Sequence, residues 1–131
     1  MPAQSQVYIG GTLVADVTYS PENNPYIVTQ NLIVNKDVTL TILPGVEMLF
    51  EVGTSLINEG TLIARGTPEH KISFLPKNLL AFPGQWNGIV FYNSKTILAP
   101  DSTYSSGSVL SDALIRNASY SVTLGSNTSV L

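Results

Sequence analysis

The stretch PYIVTQNLIVNKDVTLTILPGVEMLFEVGTSLINEGTLIARGTPEHKISF, residues Pro25 to Phe74, decides the fold. It consists of short segments of about five to seven residues that alternate apolar and polar positions and end at a glycine or a proline. Gly45, Gly53, Gly60 and Gly66 are 8, 7 and 6 residues apart, which leaves no room for a crossover helix. No Asn-Gly or Asp-Gly pair in this stretch marks a two-residue hairpin. Three short strands joined by bends, repeating in roughly 20 to 25 residues, predict the coils of a parallel β-helix.

The predicted coils align with one another. A first coil over residues 26–45 and a second over residues 46–70 place Leu32 opposite Leu56 and Leu40 opposite Leu62. Alternation within the strands divides inward from outward positions, because successive side chains of a strand point to opposite faces. The predicted inward positions form the core, and they are Leu32, Val34, Leu40, Ile42, Met48, Phe50, Leu56, Leu62, Ile72, Phe74, Ile89 and Phe91.

The composition favours a β-rich folded domain and excludes several classes of partner. Charged residues make up 11% of the 131 residues and hydrophobic residues 44%, which argues against disorder. The net charge is −3 and the six basic residues form no run, so we expect no nucleic-acid partner. No apolar run approaches the roughly 20 residues of a membrane span, so we expect no direct membrane insertion. The chain has no cysteine, and the N-terminal MPAQSQ does not resemble a signal peptide.

We expect one domain over residues 1–131. Residues 1–25 are interpreted as a lead-in and a capping strand, 26–93 as regular coils, 94–107 as a loop insertion, and 108–131 as a last coil that is cut short at its final strand. Residues 110–118 (LSDALIRNA) allow a short helix, but the flanking β-branched residues favour strand. The uncapped last coil leads us to expect either a longer stack of coils or association through the ends of the stack.

A resemblance supports this fold. The motifs GGTL (Gly10–Leu13), NPYIV (Asn24–Val28), NLIV, VTLTILPGVEMLF, GTLIARGTPEHKISF and WNGIVF resemble the opening coils of right-handed parallel β-helix proteins. They are most similar to the modules of bark beetle (anakonda) proteins, large animal cell-surface proteins of tricellular junctions. Similar motifs occur in secreted bacterial β-helix proteins. The expected fold is therefore all-β, a right-handed parallel β-helix of about four coils with an N-terminal capping strand.

The acidic residues do not suggest a catalytic pair. Glycoside hydrolysis requires two carboxylates that face each other across a groove. Glu47, Glu51 and Glu59 are the candidates that could approach one another across a bend, and separate solvated carboxylates are the favoured alternative. His70, the only histidine, lies in the turn GTPEHK and lacks the neighbours of a metal site. We expect no catalytic residue, no cofactor and no metal.

Three residues are candidates for binding or modification. Trp86 could stack on a sugar from an exposed position, or fill the core at a bend, and the resemblance favours the core. Asn117 and Asn127 each begin an Asn-X-Ser/Thr sequence, which is the acceptor for N-glycosylation in a protein secreted by a eukaryote.

The expected function is that of a non-enzymatic structural or adhesive module of a larger extracellular or cell-surface protein. The resemblance implies a role in cell–cell junction assembly, with protein partners or self-association through the ends. The alternative is a secreted protein that binds or processes carbohydrate. Neighbouring lectin-like domains and a membrane span in a longer protein would favour adhesion, whereas further coils rich in Asp, Lys and Arg would favour an enzyme.

Overall fold

The computed structural model of the chain describes residues 6–78, 85–98, 100–125, 128 and 130. Within these residues the chain forms short strands and one 3-10 turn at Pro21–Asn23. The strands are β1 Val7–Leu13, β2 Val17–Tyr19, β3 Tyr26–Val34, β4 Thr39–Ile42, β5 Glu47–Phe50, β6 Ser55–Asn58, β7 Thr61–Arg65, β8 Ile72–Pro76, β9 Gly88–Phe91, β10 Thr96–Leu98, β11 Tyr104–Gly107, β12 Val109–Ser111, β13 Ala113–Ile115 and β14 Val122–Leu124.

These strands form two parallel sheets around one core and a separate hairpin. Sheet A has eight strands in the order β13-β8-β5-β3-β6-β9-β14, with β1 paired to β3 outside this path. Sheet B has four strands in the order β12-β7-β4-β2. Side chains from both sheets belong to the same hydrophobic cluster, for example Leu40 from sheet B and Met48 from sheet A. The chain therefore passes several times through sheet A and then sheet B, with bends between the strands. We call each such passage a sweep.

The all-β class agrees with the sequence, but the expected right-handed parallel β-helix of about four coils is wrong. Such a helix keeps its faces apart as separate sheets, whereas β3 runs unbroken and pairs with two different strands. Tyr26–Val28 pair with β5, and Leu32–Val34 pair with β6. Sheet A is therefore a curled half-barrel. The physical reason lies in residues 29–31 (TQN), which contain neither the glycine nor the proline that would end a strand.

The expected N-terminal capping strand is wrong as well. β1 pairs in parallel with β3, and β2 pairs in parallel with β4, so both extend the sheets instead of crossing their end. The register of β1 shifts between Ile9 and Gly11. Gly10 lies so close to β3 that an added Cβ would stand 2.6 Å from Gln30 Cγ. A glycine at this point lets β1 follow the bend of β3 with fewer residues.

The predicted core and register are confirmed. Each of the twelve inward positions named above is at most 1% exposed. Leu32 pairs with Leu56, and Leu40 pairs with Leu62, as the alignment of the sequence segments predicts. The alternation also places Val46 with Met48 and Phe50, and Val46 is buried, whereas the burial of Ile27 was not indicated by the alternation.

The segment expected as a loop insertion contains an antiparallel hairpin. β10 and β11 pair through Thr96 and Gly107, with a register shift between Ile97 and Leu98. The hairpin is fixed to sheet B by the guanidinium of Arg65, which lies 4.8 Å from the ring centroid of Tyr104. Leu110–Ile115, where a short helix was the alternative, forms the strands β12 and β13. The strand interpretation of this part is confirmed.

The register makes a prediction about stability. Leu40→Ala should lower the free energy of unfolding by about 2–5 kcal/mol, because Leu40 is fully buried and its removal leaves a cavity. Its neighbour Thr39 is half-buried on the opposite face of the strand, so Thr39→Ala should cost less than about 0.5 kcal/mol. Urea titrations of both variants measure the difference, and equal losses would show that the assignment of inward and outward faces is wrong.

Candidate functional site

Trp86 is an internal residue and not an exposed platform. Its side chain is 0% exposed, and its ring stacks on Phe50 with centroids 4.1 Å apart and an interplanar angle of 13°. The indole Nε1–H donates a hydrogen bond of 2.8 Å to the carbonyl oxygen of Arg116. The faces of the ring are therefore covered by protein, and the only polar atom of the side chain is already bonded.

The bend that holds Trp86 is built from backbone contacts between successive sweeps of the chain. The amide of Gly53 donates to the carbonyl of Gln85 at 2.8 Å, and the Nδ2 of Asn87 donates back to the carbonyl of Gly53 at 2.9 Å. Gly88 follows with a φ of 104°, and a Cβ at this position would lie 1.6 Å from the carbonyl oxygen of Tyr120. Only glycine fits this position. The bend is therefore a packed structural element.

The candidate carboxylates lie at different places. Glu47 begins β5, and Glu51 follows its end, four residues or about 13 Å along the strand. Glu51 forms an ion pair with Lys77 at 3.2 Å, in which both side chains are more than one third exposed. Glu59 follows β6 at the next bend. An arrangement of two facing carboxylates, as glycoside hydrolysis requires, does not arise from these three positions.

His70 occupies a surface turn. Its backbone amide donates to the carbonyl and to the hydroxyl oxygen of Thr67, at 3.2 and 3.0 Å. Its own carbonyl accepts a hydrogen bond from the amide of Gly45 at 3.1 Å. Within the ranges that the structure describes, no three His, Asp or Glu residues are close enough to hold a metal ion.

Asn117, the first of the two glycosylation candidates, lies at a surface groove next to the Trp86 bend. Asn117 is half-buried, has a φ of 56°, and lines an open groove of about 380 Å³ together with Leu75, Pro76, Leu114 and Arg116. The sequon residues Ala118 and Ser119 are held at the Trp86 bend. Ala118 forms a parallel β-bridge with Trp86, and the amide of Ser119 donates to the carbonyl of Trp86 at 2.8 Å. Asn127 lies outside the described residues.

Two larger grooves occur at the bends. One has a volume of about 440 Å³ and a mainly apolar lining, formed by Phe50, Glu51, Val52, Pro76, Lys77, Asn78 and Gln85. The other has a volume of about 570 Å³ and a mainly polar lining, formed by Asn35, Lys36, Asp37, Glu59, Gly60, Thr61 and Asn93. The polar groove offers amide and carboxylate groups of the kind that bind sugar hydroxyls.

A buried polar cluster connects β6 to the segment that carries the hairpin. The Nδ2 of Asn58 donates to the hydroxyl of Ser94 at 2.7 Å and to the carbonyl of Gly60 at 3.1 Å. Ser108 accepts a hydrogen bond from the amide of Leu62 at 3.1 Å. The Oδ1 of Asn58 is buried and has no hydrogen-bond partner. No sequence motif indicated this cluster, although the alternation of β6 places Asn58 on the inward face.

Among the described residues, Tyr19 and Asp101 have shifted pKa values, and local packing and hydrogen bonds explain both shifts. Burial raises the pKa of Tyr19, and the phenol of Tyr26 raises it further. The two rings lie 4.7 Å apart, and the Tyr26 hydroxyl donates to the carbonyl of Ser20 at 2.8 Å. Hydrogen bonds from the hydroxyl and the amide of Thr103 lower the pKa of Asp101. These interactions order the chain and do not create a nucleophile.

The most distinctive surface is formed by the outer sides of β13 and β14, the last strands at the two ends of the sheet A order, and we call these two strands together the C edge. β13 pairs with β8 and β14 pairs with β9, and the described residues place no further strand of sheet A beyond them. Apolar side chains are exposed along this edge, with Leu114 at 36%, Val122 at 41% and Leu124 at 51%. Open strand edges with apolar side chains are surfaces that other chains can extend.

The comparisons with known proteins give one partial similarity. Over 69 residues the chain is 35% identical to Protein bark beetle of Drosophila melanogaster, and the match covers 53% of this chain. It covers 2% of that protein, so the chain spans a small part of its relative. This similarity confirms neither a family nor a repeat. No protein-family profile and no solved structure matches the chain. In the described ranges, no helix has the length and hydropathy needed to cross a membrane.

The position of Trp86 makes a prediction. Trp86→Ala should lower the free energy of unfolding by about 3–5 kcal/mol, because it removes the ring that stacks on Phe50. Trp86→Phe keeps an aromatic ring but leaves the carbonyl of Arg116 without its donor, and it should cost about 1–3 kcal/mol. Tyr120→Ala is the matched aromatic control, since Tyr120 is 73% exposed. Urea denaturation measures all three variants, and a loss for Trp86→Ala no larger than that of the control would contradict the assignment.

Proposed function

We propose that this chain is a non-enzymatic structural and adhesive module of a larger extracellular or cell-surface protein, and that it acts in the assembly of cell–cell junctions by binding protein partners. The observation that carries the proposal is the C edge, where Val122 and Leu124 are about half exposed on a strand that pairs with β9 on one side and with no described strand on the other. Adhesive modules bind through such edges by main-chain hydrogen bonds and by packing of alternate side chains. The resemblance to cell-surface β-rich proteins supports the same role.

The architecture suits a mechanical role. Every sweep of the chain is joined to the next by parallel hydrogen bonds in both sheets and by a continuous apolar core. Pulling the ends apart along the strand-stacking direction would require several ladders to break together. Long-range pairing of this kind opens as a cooperative unit and resists local unfolding.

Adhesion can be tested directly with coated beads. Beads that carry the full chain through an attached tag should cluster with one another or adhere to the surface of animal epithelial cells, because multivalent display amplifies weak contacts. Beads coated with heat-unfolded protein are the control for non-specific apolar contact. If coated beads neither cluster nor adhere at full surface density, the adhesive function is wrong.

A second candidate function, the binding or processing of carbohydrate, draws support from the polar groove that contains Asn35, Asp37, Glu59 and Asn93. Isothermal titration with oligosaccharides distinguishes it from adhesion. Saturable heat with an oligosaccharide that is lost in Asn93→Ala, but kept in the exposed control Tyr120→Ala, would favour this candidate.

We expect no turnover of pectin, alginate or other polysaccharides, because Glu47, Glu51 and Glu59 are not arranged as a facing pair. Reducing-end and unsaturated-product assays, each run with and without calcium, measure this. Product above the blank that disappears in Glu47→Gln or Glu59→Gln, while Glu22→Gln retains it, would show that the non-enzymatic assignment is wrong.

A further inference from the structure

β1 and the C edge belong to the same side-chain columns of sheet A. Because pairing is parallel and in register, each position of β1 has an equivalent at the C edge. The column of Val7 continues through Tyr26, Met48 and Phe74 to Ile115. The column of Leu13 continues through β3, β6 and β9 to Leu124. β1 and the C edge are therefore the first and last members of one repeating ladder.

The backbone groups of the C edge that bond to no described strand lie on alternate residues. Ser121 and Gly125 bond to β9 through a carbonyl and an amide, so the intervening Val122 and Leu124 direct their amides and carbonyls away from β9. On β13 the same argument applies. Asp112 and Arg116 bond to β8, which leaves the backbone groups of Ala113 and Ile115 on the open side.

The backbone groups on the outer side of β1 lie on the residues that could pair with those of the C edge. The amide of Val7 donates to Pro25, and the carbonyl of Leu13 accepts from Asn35, so these positions face β3. Tyr8 and Thr12 then direct their backbone groups away from β3. If β1 were placed next to the C edge in the same register, Thr12 would lie between the free groups of Val122 and Leu124. The two edges can therefore form one continuous parallel ladder.

The side chains that would meet are also matched. Val7 would lie over Ile115 and Leu13 over Leu124, and all four are apolar and at least partly exposed. Thr12 would lie over Thr123 on the outer face, which is a favourable pair in sheets. Tyr8 is 61% exposed and would lie over Arg116, within the distance at which a guanidinium and an aromatic ring attract.

Differences in bend length do not prevent this contact. Between its two paired parts β1 has one residue, Gly10, whereas the C edge has residues 116–121. The same bend has three residues in β3, at 29–31, and four between β5 and β6, at 51–54. Neighbouring sweeps thus differ in bend length while the flanking ladders keep their register.

We infer that β1 of a second copy of this chain adds in parallel to β13 and β14, so that copies associate head to tail through sheet A. The inference rests on the proposed adhesive function, because it assigns the partner and the face through which that function operates. Val130 packs against the core, and the contact that we infer involves only the edge of sheet A. A head-to-tail contact does not close on itself, so assemblies grow with concentration.

Sedimentation of the full chain over a wide range of concentration tests the inference. The average mass should rise above the 14.1 kDa of one copy as concentration increases. Leu124→Lys places an ammonium group where Leu13 of the next copy would pack, and it should weaken association by at least about tenfold. Val52→Lys is the matched control, since Val52 is 72% exposed and lies on neither edge. A mass that stays at one copy up to the solubility limit would overturn the inference, and so would association that Leu124→Lys leaves unchanged.

A mixing experiment tests the direction of the contact. Tyr8→Pro removes an amide from the outer side of β1 without touching the ladder to β3, and it blocks that edge. Protein with Tyr8→Pro and protein with Leu124→Lys should each remain single copies, and an equal mixture should form a dimer and nothing larger. If either variant alone still forms dimers, the contact is symmetric and the head-to-tail arrangement is wrong.

The bead assay separates this inference from the proposed function. Wild-type beads that adhere while the free chain remains a single copy would overturn the C edge as a self-association face and leave the adhesive function standing. Loss of adhesion by wild-type beads would remove the proposed function itself. Adhesion between coated beads that is abolished by Leu124→Lys, and retained by Val52→Lys, supports both.

Discussion

Each buried side chain of sheet A lies next to the equivalent side chain of the preceding strand, because parallel pairing repeats one register from β1 to the last strands. The column that contains Val7, Tyr26, Met48, Phe74 and Ile115 is an example. Parallel strands about 4.8 Å apart bring such side chains into van der Waals contact, so each sweep of the chain supplies the packing surface for the next. The register and the core are therefore one constraint. A shift of one residue in the pairing would move the inward side chains of a whole strand to its outer face.

This constraint confines variation to the bends. The ladders tolerate a single glycine, a three-residue stretch or a longer segment between the two halves of sheet A, and they tolerate the hairpin of β10 and β11 before β12. Two bends contain packed interiors of their own. Trp86 fills one by stacking on Phe50, and Asn58 anchors another through Ser94. Large residues and buried amides at these places compensate for the lack of regular pairing.

The same constraint leaves backbone groups and apolar side chains at the first and last strands of the described ladders. The inner strands of both sheets pair on both sides, whereas the outer side of β1 and the C edge pair with no described strand and carry apolar side chains. An edge of this kind has fixed spacing, fixed polarity and a fixed sequence of side chains. The head-to-tail contact that we infer would use such an edge, because recognition by strand addition is selective for a strand with the matching pattern.

The sequence by itself determined which residues form the core and how the central strands align. Alternation with a period of two is a local property, and glycine and proline mark where strands end, so Leu40 and Leu62 could be assigned to one column without coordinates. The sequence also indicated strand over helix for the segment that contains Leu114. For Trp86 the local sequence left both a core and an exposed position open, and the resemblance favoured the core.

Only the tertiary structure decided how the strands are grouped into sheets. Residues 29–31 are polar, and polar residues suit both a bend and the exposed part of a continuous strand. Their conformation depends on β1 and on Ser55, whose amide donates to the Oδ1 of Asn31 at 2.9 Å. The partner of Asn58, the hairpin at Tyr104 and the exposure of Leu124 likewise depend on segments distant in the chain. Such contacts have no local pattern, because they arise from which surfaces meet after the strands have paired.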